Sequence, residues 1–146
     1  MAGSGRMRGR DERGTTTFWM LGLCLMLFFL GGISLDLWRA FGTRHTAGGE
    51  ADAAAIAGAS GIDEAYFRRT GEVRLDPDRA EALALENVSA QSDVDTYTRV
   101  HVEVDEAADQ VIVTLSRTVD FTLLRLFGAG EFEVTVTARA SPQRSL

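Results

Sequence analysis

The sequence predicts an α+β fold. A single N-terminal transmembrane helix extends into an alanine-rich helix, followed by a small, mostly antiparallel sheet of about three strands packed on a short helix. Three observations predict it. The run Gly14 to Leu35 carries no charge, Ala51, Ala55 and Ala59 recur every fourth residue, and from Tyr97 the apolar period falls to two. The chain divides accordingly into an Arg-rich N-terminus (1–14), a transmembrane helix (15–37), an Ala-rich helical extension (38–60) and an α+β domain (61–146).

The uncharged run is the first element. At 1.5 Å per residue it reaches about 33 Å, against a hydrocarbon core of about 30 Å, which fits one crossing. A cleaved secretory signal would show a small-x-small site after its apolar region. Here Leu35, Asp36, Leu37, Trp38 and Arg39 follow, so an uncleaved anchor is the better reading. Cys24, the one cysteine, lies inside the run; with Leu23 before it rather than a small residue, it reads as a packed apolar group and not as a lipid-attachment site. Arg6, Arg8, Arg10 and Arg13 precede the run and the chain beyond Arg44 turns acidic, which places the N-terminus in the cytoplasm and the C-terminal domain outside it. Trp19 and Trp38 are placed as interfacial anchors.

Asp36 stands where the helix leaves hydrocarbon, with Arg39 three residues on and on the same helix face. Three readings stay open: a local ion pair, two solvated interfacial side chains, or a contact from Asp36 to another subunit's membrane helix. In the extension, Ala51, Ala55 and Ala59 form a smooth face that lets another helix backbone come close; helix propensity alone would also select alanine there. Gly42, Gly48 and Gly49 are weak points in the same helix.

Gly61 to Asp76 reads as a connector with Phe67, Val73 and Leu75 available to a core. Asp76-Pro77-Asp78 is a helix start, because aspartate caps the first turn and proline is tolerated at its first position. Ala80, Leu83, Ala84 and Val88 mark the buried side of the helix that follows, which fades near Ser92. Val100, Val102 and Val104, then Val111, Val113 and Leu115, then Phe132, Val134, Val136 and Ala138 alternate with polar residues as three half-buried strands. Between the second and third lies an apolar segment in which Phe121, Leu124 and Phe127 surround Arg125. It reads either as a cap over the sheet or as a patch that docks on the membrane surface or a neighbouring subunit.

Chemistry has no foothold in this pattern. Every basic side chain is arginine, and the net charge of −6 leaves no basic face outside the N-terminus, which argues against nucleic acid as a partner. His45 and His101 are the only histidines, and neither belongs to a metal spacing; no phosphate loop or dinucleotide fingerprint occurs. The acids Glu103, Asp105, Glu106 and Asp109 lack the order of a calcium loop and read as a solvated strand end. The expectation is a non-enzymatic protein with no cofactor and no metal.

With these words assembled, the chain resembles the TadE/TadG-like family of pseudopilin-like proteins associated with tight-adherence (Tad/Flp) pili, in the form of its small actinobacterial members. The likeness is carried by the Arg-rich start, Arg13-Gly14 opening the span, Asp36 to Ala40 reading DLWRA, and above all Glu50 to Ala59 reading EADAAAIAGA. Thr118-Val119, the aromatic and leucine segment closing at Gly128, and the strand ending Ala138-Arg139-Ala140 extend it towards the C-terminus. The resemblance implies a structural or assembly role in a pilus or related secretion apparatus of a bacterial cytoplasmic membrane. Its implied partners are the bilayer and other pilus-system membrane proteins or pseudopilins, met as a homo- or hetero-oligomer through the N-terminal helix. It also offers Gly14 as a processing site, although the fifth residue after it is Trp19 where such substrates carry glutamate; that departure favours retention as an uncleaved membrane protein. The alternative from another class is a membrane-tethered extracytoplasmic binding or sensing module.

Overall fold

The computed structural model describes residues 12–143 apart from 93 and 129. The arginines at 6, 8 and 10, on which the expected orientation rests, lie outside the described residues. The chain begins with α1 (Glu12–Ala59), a helix of 48 residues and about 72 Å. Gly42, Gly48 and Gly49 do not interrupt it. Each has open space where a Cβ would stand, so nothing exploits their freedom to bend. From Phe18 to Leu30 the large apolar side chains are exposed, and the helix is long and apolar enough to cross a membrane.

Beyond that stretch one face of α1 is covered. Gly32, Asp36, Ala47, Ala51, Ala54, Ala55, Gly58 and Ala59 are buried, a helical stripe built almost entirely of small side chains. Against its upper part packs α3 (Pro77–Gln91), through Ala80, Ala84 and Val88. The approach is close: a Cβ on Gly58 would lie 2.9 Å from Val111 Cγ1 and 3.0 Å from the Ala80 carbonyl oxygen, and one on Gly61 would lie 2.8 Å from the Ala80 backbone. The start of α3 is as the sequence predicts, with Asp76 accepting from the Arg79 amide at 3.2 Å and Pro77 in the first turn.

Between α1 and α3 the expected connector contains a further short helix, α2 (Glu64–Thr70). Asp63 caps it by accepting from the Tyr66 amide at 2.8 Å, and Gly71 ends it in a left-handed conformation, φ 74°. Its apolar residues are too few to show a helical period, which is why the sequence reads as a connector there.

The sheet is three-stranded and antiparallel, in the order β1 (Arg99–Asp105), β2 (Gln110–Asp120), β3 (Glu131–Ala140). Val102 pairs with Val113 and Val113 with Ala138, so the alternating apolar residues of all three strands share one face. That face meets α1 over β2 and β3, and α3 over β1. The sequence assigned the cover to the helix after Pro77; the larger share belongs to α1, whose alanines give the sheet room to sit against its backbone. The other face carries hydroxyl pairs, Thr114 with Thr137 at 3.2 Å and Ser116 with Thr135 at 2.9 Å. These add cross-strand contacts between β2 and β3 on that face.

Candidate helix-packing and membrane-interface site

Two polar anchors fix the domain to α1, one near the lower end of the covered stripe and one part-way along it. The lower anchor is Asp36, only 2 % exposed. Its Oδ1 accepts from the Thr122 amide at 3.2 Å, and its Oδ2 from the amides of Leu123 and Leu124 at 2.7 and 3.1 Å. The acid therefore caps the 3-10 turn Leu124–Phe127 at the tip of the β2–β3 connection. Arg39, one turn above, donates to Thr122 Oγ1 at 3.3 Å. Both residues thus hold the same short segment of their own chain. One turn below, Leu123 lies on Gly32 so closely that a Cβ there would fall 1.6 Å from Leu123 Cδ1.

The upper anchor is Glu50, which the sequence showed only as the first letter of the alanine-rich word. Its Oε2 accepts from Ser92 Oγ at 2.8 Å and from the phenol of Tyr97. This clasp ties α1 to the end of α3 and to the start of the sheet. Burial, then the hydrogen bond to Glu50, pushes the Tyr97 phenol up to about 12. Nothing in the sequence could have paired these groups, because the partners stand 42 and 47 residues from Glu50.

Ala51, Ala55 and Ala59 lie beyond the upper anchor, buried against the domain. The helix backbone that approaches this face belongs to α3 of the same chain. Phe121 and Leu124 are half-buried at the sheet's lower end, where the Phe121 ring stands 6.3 Å from that of Phe132. The side chain of Phe127 lies outside those described. Gly14 sits at the far end of α1, about 33 Å along the helix from Asp36.

The acids near the β1–β2 turn have local work. Asp105 Oδ1 accepts from the amides of Ala107 and Ala108, both at 3.0 Å, Glu106 pairs with Arg74 at 3.4 Å, and Asp109 accepts from the Leu75 amide at 2.9 Å. Among the described residues no group of three or more His, Cys, Asp or Glu side chains comes together as metal ligands would. His45 lies on an open groove between α1 and β3, also lined by Phe41, Arg44, Asp52, Thr135 and Thr137.

No curated protein and no solved structure matches the chain. A family model does, and it covers the segment that the geometry singles out: the exposed apolar half of α1, Asp36, Glu50 and the alanine stripe. Over residues 14–61 the chain matches the family described as putative Flp pilus-assembly TadE/G-like.

Proposed function

We propose that the chain is a non-enzymatic, pseudopilin-like component of a Tad/Flp-type pilus or related secretion apparatus. In this reading it is held in a bacterial cytoplasmic membrane by α1, with the N-terminus inside and the α+β domain outside. The observation that carries the reading is the coincidence of the family match at 14–61 with one unbroken helix, which supplies both the exposed apolar span and the spine of the folded domain. A structural part needs such a spine, since its task is to hold a head at a fixed place relative to lipid and neighbours. Oligomer contacts, with copies of this chain or with other pilus-system membrane proteins, fall to the bare surface of α1 between Phe18 and Leu30. Photo-crosslinkers at Leu23 and Phe28 in the native membrane should recover other membrane components of the pilus system. Recovery of unrelated enzymes alone would count against the proposal.

A second reading, a membrane-tethered binding module, draws on the groove beside β3, where Arg44, His45 and Asp52 offer both charges to a small polar ligand. Stabilisation of the full chain by an envelope extract, lost in Arg44→Ala, would favour it.

A further inference from the structure

We infer that the tip of the β2–β3 connection is itself inserted into the outer leaflet, so that the protein meets the bilayer with a second, non-helical element beside α1. The inference rests on the reading that α1 spans the membrane. A hydrocarbon core of about 30 Å takes about 20 helical residues, which counted from Thr15 ends at Ser34. Gly32 is then below the lipid boundary, and Leu123 is packed directly on it. Leu124 follows, half-buried, its amide on Asp36 one turn further along, with an exposed Arg125 beside it.

Backbone accounting supports the same placement. Chain that enters hydrocarbon must satisfy its own N–H groups, because lipid offers no partner. At this tip the amides of Thr122, Leu123 and Leu124 are all taken by Asp36, that of Phe121 donates to the Gly130 carbonyl at 3.3 Å, and that of Gly128 to the Arg125 carbonyl at 3.1 Å. The exposed Arg125 suits the boundary as well, since a guanidinium on a long stem reaches headgroup phosphates while Leu123 and Leu124 stay in acyl chain. Asp36 then serves as the latch that holds an apolar wedge at membrane depth.

The test uses the full chain, with Cys24→Ser, reconstituted in vesicles of phosphatidylcholine and phosphatidylglycerol. Single cysteines are introduced by Leu27→Cys, Leu124→Cys or Thr137→Cys and labelled with an environment-sensitive fluorophore. Leu27 reports on the span, and Thr137, on the outward sheet face, on the water-exposed head. The expected result is that the label at 124 emits to the blue of that at 137, is quenched by nitroxide-bearing lipid, and loses most of its quenching by aqueous iodide. A label at 27 shielded from iodide together with one at 124 as accessible as that at 137 would overturn the insertion alone. An iodide-accessible label at 27 would overturn the span and the insertion with it. Arg125→Cys, at an exposed position read as lying at the headgroup boundary, provides a second reporter: its label should be quenched by nitroxide-bearing lipid and be less accessible to iodide than that at 137, and access equal to that at 137 would overturn the insertion.

Discussion

Glu50 and Tyr97 show how much of the domain's attachment depends on single polar contacts. The Tyr97 phenol is held protonated beyond its ordinary value, so the neutral form is the one the fold favours. Because the folded value lies above the unfolded one, this contribution is complete below about pH 10 and is lost as pH rises towards about 12. Tyr97→Phe should remove that alkaline loss and cost about 1 to 3 kcal/mol at neutral pH, since Glu50 keeps Ser92 but loses its second donor. Denaturant unfolding in detergent between pH 7 and 11.5 checks both outcomes. Glycines give a sharper contrast. Gly58→Ala forces a Cβ against Val111 and Ala80 and should destabilise by about 1 to 3 kcal/mol. Gly48→Ala enters open space in the middle of the same helix and should stabilise by up to about 1 kcal/mol. Equal effects from the two would contradict the packing described. The sequence marks Gly48 as a weak point and says nothing about Gly58, because close approach is a property of the partner, α3, and not of the local word.

At the scale of elements, what was legible followed from periodicity. The helix after Pro77 and the three strands are read correctly because their apolar residues repeat over several turns or pleats. α2 was missed because seven residues cannot establish a period. Its capping signals, Asp63 before it and Gly71 after it, were the only available evidence. Asp36 stood out in the sequence as the first charge after the apolar run, but its use was not legible: the amides it caps lie 86 to 88 residues further on and carry no side-chain signature. Asp36→Ala therefore tests an element and not a surface charge. Three amides in part-buried hydrogen bonds lose their acceptor, each at about 1 to 3 kcal/mol before relaxation. Hydrogen exchange should quicken at Thr122 to Leu124 while β1 stays protected. Uniform loosening of the whole sheet would show that the acid acts otherwise.

For the molecule as a whole, the sheet and α3 have no core without α1. The buried cluster takes Ala47, Ala51, Ala54 and Ala55 from that helix and closes them on Leu75, Val88, Val111, Val113 and Leu115. A fragment 61–146 should accordingly show no cooperative thermal transition by circular dichroism, whereas a fragment 32–146, which keeps the stripe and Asp36, should melt cooperatively. A cooperative transition in the shorter fragment would mean that the helix is only an attachment. Membrane behaviour is the second check at this scale: the full chain should resist alkaline carbonate extraction, and protease added to intact spheroplasts should digest the C-terminal domain. The family resemblance was readable from the alanine-rich word, which falls inside the matched segment. The reason that word is alanine-rich became visible only when α3 and the sheet were seen resting on it.

The unbroken passage of α1 through Gly42, Gly48 and Gly49 has a mechanical corollary. In the membrane-anchored reading proposed above, with no joint between the two halves of the rod, a sideways load on the head is delivered to the acyl chains as a change of tilt, on a lever of some tens of ångströms. Any neighbour that grips the embedded half would sense how the outer half is being pulled.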